Sequence, residues 1–520
     1  MLAGVDARVD GENSPRQGQR RARHDRGVEE TVDVVVVGAG LSGIGAACHL
    51  RRECPDESVL VLEARDSPGG TWDLFRYPGV RSDSDMYTLA YDFAPWRSPR
   101  AIVDGAEILT YLQETARAYG VDRRVRTGHR VVRAAWSSVD ARWRVTVEHD
   151  GAETEVVCRF LWLCTGYYRY DGGYAPELPG QDAFGGRLVD PQHWPADLDV
   201  TGADVVVLGS GATAVTLVPA LAARGARVTM LQRSPSYVAA VPREDALVRR
   251  LSGRVPDRAL TAVARTRHLV AQLGTVALSR RRPALVRRAL LRAAARRLPP
   301  GYDVSTHFSP RYDPWDQRLC VSPDGDLFAA LSQGRAEVVT GTVEALTPAG
   351  VRLTSGVELR ADVLVRATGL EMLALGDVAI TVDGRPVAVG GALAYRGAML
   401  DGVPNLAFTL GYARASWTLR ADLVAHWVTR LLRRMRREGH AVVTPGPAPA
   451  GAANQHRPLL DLSAGYVRRG RGRLPEQGVR GPWRSPSDHL RATVAFRWGR
   501  QTAGLRFTRE PVGRDGRDAR

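Results

Sequence analysis

Short continuous apolar runs recur along the chain, and stretches of helical character follow two of them. The run at residues 32–37 passes through glycines into an Ala-rich segment, and similar runs end at Glu63 and span residues 228–231. Strands that are buried on both faces show such runs, whereas half-exposed strands alternate apolar and polar residues. The pattern therefore predicts an α/β fold with parallel strands between layers of helices.

The first apolar run leads into a glycine fingerprint, G-x-G-x-x-G, formed by Gly38, Gly40 and Gly43. In such a turn the first glycine allows the tight bend, the second lets a pyrophosphate approach the backbone, and the third lets the helix pack on the strand. Glu63 closes the next strand about 20 residues later, where a carboxylate binds ribose hydroxyls. We interpret this unit as an FAD site rather than a purely structural turn.

A second unit of the same kind begins near residue 203. Gly209 and Gly211 form the turn, Ala214 takes the third glycine's place, and Thr213 is a further candidate contact at the helix start. The following strand ends without a carboxylate and continues into Arg233, whose guanidinium favours a 2′-phosphate. This pattern favours NADPH, with NADH and a merely solvated Arg233 as the alternatives.

Two apolar strands end in Thr-Gly, at residues 165–166 and at Thr368–Gly369, on either side of the second fingerprint. This placement predicts an FAD domain that is interrupted by an inserted NADPH domain. We therefore expect two Rossmann-like domains and a helical insertion, divided as follows: a disordered Arg-rich tail at 1–30, FAD domain at 31–170 and 366–443, NADPH domain at 171–365 with a helical insertion at about 241–300, and a linker with a C-terminal tail at 444–520.

Charge and cysteine content narrow the function classes. The net charge is +16, but all 72 basic residues are arginine, which indicates codon bias more than a nucleic-acid partner. The five cysteines form no C-x-x-C pair, so we predict no metal site. Residues 1–30 do not resemble a signal peptide, and the apolar run at 268–279 is too short to span a bilayer. These features predict a cytoplasmic protein.

The Arg-rich helical insertion allows two interpretations. Its segment at residues 280–300 places apolar residues at three- and four-residue spacing among arginines. An amphipathic helix of this kind can lie on an anionic membrane, or it can simply cover the NADPH domain with its arginines in water. Peripheral membrane contact therefore stays open.

Several longer motifs resemble the Baeyer–Villiger group of class B flavoprotein monooxygenases. They are GGTWDLFRYPGVRSDSDMYTL at 69–89, FGGRLVDPQHWP at 184–195, YDPWDQRLC at 312–320 and GYARASWTL at 411–419. The resemblance extends from about Val32 to Phe507. It implies an enzyme that uses FAD, NADPH and O₂ to insert one oxygen atom into a lipophilic ketone or onto a sulfur.

The resemblance also assigns residues to roles. It implies that Arg318 and Asp83 are catalytic, with a guanidinium that stabilises negative charge during oxygen transfer and a carboxylate that pairs with it and orients it. It places a further group of residues against the cofactors: Gly70, Thr71, Trp72, Asp83, Tyr87, Thr368 and Gly369.

The linker motif departs from the family at one position. Phe184, Gly186, Trp194 and Pro195 match F-x-G-x-x-x-H-x-x-x-W-P, but Asp190 stands where the family has histidine. Across the family this histidine is thought to couple domain rotation to catalysis, and a carboxylate normally only accepts hydrogen bonds. We expect normal flavin reduction in this chain but less efficient oxygen transfer.

Two alternatives remain open at this point. One is an S- or N-oxygenating flavin monooxygenase with little ketone activity. The other is a flavoprotein that binds both nucleotides without catalysis and acts as a sensor or scaffold.

Overall fold

The computed structural model describes residues 30–448, 456–460 and 463–509. The predicted disordered tail lies outside the described residues except for Glu30, and so does the middle of the predicted linker.

Strands and helices are interspersed along the described chain, but the strands within residues 125–208 and 336–408 follow one another without an α-helix. In chain order the strands are β1 (Glu30–Val37), β2 (Val59–Leu62), β3 (Val125–Arg126), β4 (Arg130–Ser137), β5 (Arg142–His149), β6 (Ala152–Leu163), β7 (Arg187–Val189), β8 (Asp204–Leu208), β9 (Arg227–Gln232), β10 (Val238–Val241), β11 (Cys320–Pro323), β12 (Ala336–Thr340), β13 (Val343–Thr347), β14 (Gly350–Leu353), β15 (Glu358–Arg360), β16 (Val363–Arg366), β17 (Ala379–Val382), β18 (Arg385–Pro386), β19 (Ala394–Tyr395), β20 (Met399–Leu400), β21 (Leu406–Phe408), β22 (Val442–Pro445), β23 (Arg457–Pro458), β24 (Glu476–Gln477) and β25 (Leu505–Thr508).

The helices range from single turns to about seven turns. They are α1 (Leu41–Glu53), α2 (Thr71–Leu74), α3 (Met86–Leu89), α4 (Gly105–Ala118), α5 (Ala212–Ala223), α6 (Ala246–Leu251), α7 (Asp257–Arg281), α8 (Pro283–Ala295), α9 (Val304–Phe308), α10 (Asp326–Ser332), α11 (Trp417–Glu438), α12 (Gly465–Arg469) and α13 (His489–Arg497).

The larger sheet has the order β18-β17-β4-β5-β6-β1-β2-β3, and β21 also pairs with β6. Strands β6, β1, β2 and β3 run parallel, whereas β4, β5 and β6 form an antiparallel meander. The apolar run of β1 lies at the centre of the parallel part, with Val34, Val35 and Val36 completely buried. A strand covered on both faces accounts for this run.

The second sheet is parallel throughout and has the order β12-β9-β8-β16-β7. Its strands all fall in sequence between β6 and β17 of the larger sheet. Each sheet thus carries one glycine fingerprint, at the turn after β1 and at the turn after β8. The predicted α/β fold with two Rossmann-like units is confirmed.

Helices α6, α7 and α8 form the helical insertion. Leu260 and Ala264 of α7 pack with Val248 of α6 against Tyr87 and Ala101 of the first domain. Across the described part of the chain, none of the helices combines the length and the apolar content that a bilayer crossing requires.

The C-terminal tail docks on the first domain through two buried arginines. Arg396 donates to the backbone oxygens of Ala495 and Arg500 at 2.8 and 2.6 Å, and Arg420 donates to Ser485 Oγ at 2.8 Å. Strand β25 also pairs with β22. The described part of the tail is therefore part of the folded body.

Candidate active site and nucleotide cradles

The turn after β1 has the shape that its glycines predict. Gly38 has φ +100°, and a Cβ on it would lie 2.7 Å from the carbonyl oxygen of Cys164. A Cβ on Gly43 would lie 1.7 Å from the Gly38 carbonyl oxygen. Both positions exclude any side chain, so α1 packs closely and its N-terminus points into the turn.

The GGTW segment lies directly against this turn. The Gly69 N–H donates to the Ala39 oxygen at 2.9 Å, and a Cβ on Gly70 would approach Gly40 Cα to 2.8 Å. Gly70 then begins α2, which contains Thr71 and Trp72, and Thr71 Oγ1 lies 3.4 Å from the Tyr170 hydroxyl. The structure therefore brings together the predicted flavin-binding segments 38–43 and 70–72.

Glu63 closes β2 beside the same turn. It is buried, and its two oxygens accept from the N–H groups of Ala39 at 2.6 Å and Arg65 at 3.0 Å. Burial raises the pKa of Glu63, and these two hydrogen bonds partly oppose that rise. Each carboxylate oxygen keeps a second lone pair, which suits it to accept from a ribose hydroxyl.

The second cradle follows β8. Gly209 has φ +145°, and its Cβ would lie 2.3 Å from the Ala367 oxygen, whereas a Cβ on Gly211 would meet no heavy atom within 4 Å. The backbone at Gly211 is thus open to a phosphate group, and α5 starts directly behind it. Both cradles fit dinucleotides by the same geometry.

Arg233 lies at the rim of the second cradle. The adjacent Ser234 is held to the fingerprint, since Ser210 Oγ donates to the Ser234 oxygen at 2.9 Å. Arg233 itself is exposed, and within the described residues no carboxylate pairs with it. Its guanidinium is therefore available to a ligand.

Thr368 and Gly369 follow β16, the strand beside β8 in the second sheet. Thr368 Oγ1 donates to the Tyr174 oxygen at 2.5 Å, and Tyr174 N–H donates to the Gly369 oxygen at 3.0 Å. These contacts attach the segment after β6 to the end of β16. Thr368 and Gly369 directly follow Ala367, whose carbonyl oxygen faces Gly209 of the second cradle.

Asp83 and Arg318 interact through space without a direct contact. Burial raises the pKa of Asp83, against the lowering effect of Arg318 and Arg81. We expected a carboxylate–guanidinium pair, but among the described residues no ion pair joins these two side chains. Asp83 instead lies in the field of two arginines, Arg318 and Arg81.

Three tyrosines lie within electrostatic range of Arg318. Burial lowers the pKa of the guanidinium, but Tyr167, Tyr466, Asp83 and Tyr168 outweigh it and raise that pKa. The Tyr168 hydroxyl donates to that of Tyr167 at 3.1 Å. Sequence reasoning missed this cluster, because Tyr466 belongs to the docked tail and no motif connects it with Arg318.

Tyr87 of α3 packs against the helical insertion. Its hydroxyl donates to the Ser98 oxygen at 2.9 Å, and its ring centroid is 4.9 Å from that of His268 in α7. The structure places this predicted cofactor contact between α3 and the helical insertion.

The linker motif forms the outer strand of the second sheet. A Cβ on Gly186 would lie 2.6 Å from the Asp362 oxygen and from Phe184 Cζ, so glycine lets β7 pair with β16. Phe184 and Trp194 pack partly buried against the second domain, and Pro195 follows at its surface. The motif therefore holds the linker on this domain.

Asp190 has a partner that the sequence did not indicate. Its oxygens accept from Arg366 Nε at 3.1 Å and Nη2 at 2.7 Å, which forms a bidentate ion pair with the last residue of β16. Arg366 is two residues before Thr368. The fingerprint position is thus occupied by a paired carboxylate.

The RYPG turn joins the two domains. A Cβ on Gly79 would lie 2.8 Å from Ala220 Cβ of α5, and the buried Tyr77 faces Thr213 of the same helix. Nearby, Arg81 pairs with Asp326 of α10 at 2.5 Å. The flavin side of the molecule is thereby fixed to the helix that carries the second fingerprint.

Comparison with known families agrees with this geometry. The family described as NAD(P)-binding Rossmann-like domain matches residues 36–96, and the family described as flavin-binding monooxygenase-like matches residues 83–247.

Relatives and solved structures match nearly the whole chain. The FAD-containing monooxygenase EthA of Mycobacterium tuberculosis is 48% identical over 486 residues, which are 93% of this chain and 99% of EthA. EthA of Mycolicibacterium smegmatis is 47% identical over 89% of this chain and 94% of its own length. A steroid monooxygenase bound to NADP has a similar fold, with a TM-score of 0.72 at 22% identity over 92% of this chain and 99% of that one.

A cyclohexanone monooxygenase in an open form gives a TM-score of 0.68 at 20% identity, over 92% of this chain and 100% of that one. Together these likenesses confirm the predicted family, its FAD and NADPH cofactors and its class as an oxidoreductase. The chain belongs to the FAD-containing monooxygenases.

Proposed function

We propose that this enzyme inserts one atom of O₂ into a lipophilic ketone to give an ester, or onto the sulfur of a lipophilic thioether. NADPH supplies two electrons, and the second oxygen atom leaves as water. FAD, when bound in the first cradle, supplies the activation of O₂. The observation that carries the proposal is that Asp83, Tyr167, Tyr466 and Arg318, from four distant parts of the chain, lie within electrostatic range of one another. Tyr167 packs on Trp417, which donates a hydrogen bond to Ser42 of the first fingerprint. Cys320, in the segment of Arg318, contacts Ser210 of the second fingerprint.

Arg318 is suited to hold negative charge on the reacting oxygen atoms. An arginine guanidinium is protonated at any physiological pH, so Arg318 carries a fixed positive charge. A fixed charge beside the reacting atoms stabilises a developing oxyanion without reorganisation of solvent. This favours an attack on a carbonyl carbon, which needs an anionic oxygen donor.

Asp83 and the tyrosines have supporting roles in this proposal. The Asp83 carboxylate lies near both Arg318 and Arg81, so its negative charge partly offsets the positive charge of Arg318. Tyr167 and Tyr168 lie within electrostatic range of the guanidinium, and the ring centroid of Trp417 is 4.9 Å from that of Tyr167.

Product analysis with Arg318→Ala tests the proposal. Loss of a main electrostatic stabiliser lowers the rate by about 100- to 1,000-fold, so ester formation should fall by that factor while NADPH still reduces the flavin. Arg311→Ala is the matched control, because Arg311 is an exposed arginine of the same segment. Unchanged ester yield in Arg318→Ala would refute the role of Arg318.

A panel of ketones and thioethers separates the two substrate classes. The proposal predicts esters from ketones as well as sulfoxides from thioethers, both dependent on NADPH. Sulfoxides without any ester would instead identify a sulfur-oxygenating enzyme with little ketone activity.

Contact with a membrane surface is a second proposal, supported by the outer face of α7. Val263, Val270 and Leu278 lie on one side of this helix and are each at least 45% exposed. Arg267 on the same side pairs with Asp245, and the exposed Arg280 and Arg281 lie at the end of the helix. An apolar stripe that ends in arginines fits an anionic lipid surface and would bring the enzyme to lipophilic substrates.

Vesicle sedimentation tests this second proposal. The enzyme should bind phosphatidylglycerol vesicles more strongly than phosphatidylcholine vesicles, and Val270→Ser with Leu278→Ser should weaken that binding. Val357→Ser, at an exposed valine far from α7, is the control. Equal sedimentation of all three proteins would contradict the contact.

A further inference from the structure

Two histidines and a carboxylate meet at the far end of α1, away from both cradles. His49 of α1 and His426 of α11 face each other with ring centroids 4.4 Å apart. Asp92 lies in the loop after α3, and the ligand-type atoms of the three side chains all lie within 4.8 Å of one another. The three residues are far apart in sequence and form no recognisable spacing.

Glu53 orients both imidazole rings. Its Oε1 lies 3.0 Å from His49 Nδ1 and 2.9 Å from His426 Nδ1, and an ionised carboxylate can only accept, so both Nδ1 atoms carry a proton. Thr429 Oγ1 donates to the other oxygen of Glu53 at 2.7 Å and fixes it. Histidines that bind metals are held by carboxylates in this way, with Nε2 left for the ion.

The two Nε2 atoms point toward carboxylates. His426 Nε2 lies 2.9 Å from Asp92 Oδ2. His49 Nε2 is completely buried and has no hydrogen-bond partner within the described residues, and its nearest carboxylate oxygen, Asp422 Oδ1, is 3.5 Å away. A buried nitrogen without a partner is costly, and a cation between it and the carboxylates would remove that cost.

The surroundings carry excess negative charge. Asp422 accepts from the Asp92 N–H at 3.0 Å, so the two carboxylates are held side by side. Two arginines lie in the field of these carboxylates: Arg265, whose Nη2 lies 3.7 Å from Asp422 Oδ2, and Arg430, which faces Glu53. With both imidazoles neutral, the carboxylates of Asp92, Asp422 and Glu53 exceed these arginines by one negative charge.

We propose that His49, His426 and Asp92 bind one divalent transition-metal ion of the zinc class, with Glu53 orienting both histidines and Asp422 bordering the ion. Two imidazole nitrogens and a carboxylate oxygen suit Zn²⁺ or Co²⁺, whereas Mg²⁺ and Ca²⁺ prefer oxygen ligands alone. Metal–ligand distances of about 2.0–2.2 Å require the three side chains to move closer together. His426 and Asp92 are partly exposed, which leaves a path for entry and a position for water.

The ion would crosslink α1 and α11. Helix α1 starts at the first fingerprint, and α11 precedes the docked tail. A ligand that binds only the folded state raises stability with its concentration. The competing account of the same residues is a metal-free ion-pair network in which His426 is a cation between Asp92 and Glu53.

Cobalt titration of the FAD-loaded, chelator-treated enzyme distinguishes the two accounts. A bound ion should give one-equivalent saturation of visible Co²⁺ bands at wavelengths beyond the flavin absorption, displacement by Zn²⁺, and a higher melting temperature. Glu53→Gln should weaken affinity by about 10- to 100-fold. Asp92→Asn and His426→Gln should weaken it at least as much, whereas His456→Gln, which removes the His456–Glu476 pair elsewhere, should not.

Retained FAD in each variant shows that it has folded, and either ligand variant is sufficient for the comparison. Absence of a one-equivalent signal in the unmodified enzyme would refute the metal site. So would equal Co²⁺ affinity in a folded Asp92→Asn or His426→Gln variant. Oxygen transfer does not depend on this site, so its failure would leave the proposed function intact.

Discussion

Both oxygens of the Asp190 carboxylate accept hydrogen bonds from Arg366, which lies at the end of the strand that contacts the second cradle. The family's histidine at this position has no such fixed charge. A histidine placed beside Arg366 would remove the ion pair and, once protonated, repel the guanidinium. The sequence alone predicts that Asp190 weakens oxygen transfer, but its pairing with Arg366 means that histidine alone would not restore the family's arrangement. The effect of position 190 therefore depends on both residues.

Substitutions at these two positions should show this dependence. Asp190→His alone should lower the fraction of NADPH that yields oxygenated product and increase release of hydrogen peroxide, with flavin reduction unchanged. Asp190→His combined with Arg366→Gln removes the unpaired guanidinium and should recover part of that loss. Product formed per NADPH consumed is the measurement. A higher ratio in Asp190→His alone would show that the ion pair does not matter and that the histidine itself improves coupling.

Arg233 should determine coenzyme choice. Hydrogen bonds to a charged group contribute about 1.5–3 kcal/mol, so Arg233→Ala should raise KM for NADPH by roughly 10- to 100-fold and barely change KM for NADH. Arg224→Ala, at an exposed arginine just after α5, is the control. An equal rise in KM for both coenzymes would show that Arg233 does not recognise the 2′-phosphate.

At the scale of elements, α13 packs the tail against the body, and its first residue, His489, is held neutral. Burial, reinforced by Arg265, lowers the pKa of His489 from 6.5 to about 4. Its Nδ1 lies 3.4 Å from the Tyr412 hydroxyl in the segment before α11. Docking of α13 therefore depends on an uncharged imidazole.

Acidification should weaken this docking. Between pH 6.5 and 4 the unfolded chain binds a proton at His489 that the folded chain does not, so stability falls as pH falls through that window. The loss is at most roughly 3 kcal/mol. His489→Gln should flatten the dependence of the free energy of unfolding on pH, while His193→Gln, at an exposed histidine, should not. Identical slopes in the two variants would contradict the role of His489.

Elements whose signals are local could be predicted from the sequence. The cradles at Gly38 and Gly209 follow from adjacent glycines, a preceding apolar strand and a following helix, so the fold and cofactors were predicted correctly. Asp190 and Arg366 lie 176 residues apart, and His49 and His426 lie on two helices that meet only after folding. Contacts of this kind depend on the packing of whole elements, which no short motif records.

At the scale of the molecule, the two nucleotide-binding domains meet at the RYPG turn. Arg81 is almost completely buried and pairs with Asp326 through two hydrogen bonds, at 2.5 and 3.3 Å. Asp326 also accepts from Ser322 Oγ at 2.7 Å, next to the segment that carries Arg318. The Arg81–Asp326 ion pair therefore links the contact between the domains to the segment that carries Arg318.

Removal of this ion pair should affect both stability and coupling. Arg81→Gln should lower the free energy of unfolding by about 1–3 kcal/mol, since it leaves Asp326 without its cation, and should increase hydrogen peroxide release. Arg187→Gln removes an exposed ion pair with Asp197 and should change stability by less than about 1 kcal/mol. Unchanged hydrogen peroxide release in Arg81→Gln would show that this domain contact does not affect oxygen transfer.

The central claim is that this chain uses NADPH to place one atom of O₂ in an organic product. Mass spectrometry of the product formed under isotopically labelled O₂ tests this most directly. With the unmodified enzyme, FAD, NADPH and a ketone or thioether substrate, the account predicts one labelled oxygen atom in each ester or sulfoxide and none from labelled water. Label taken from water, or NADPH consumption that yields only hydrogen peroxide with every substrate, would contradict it.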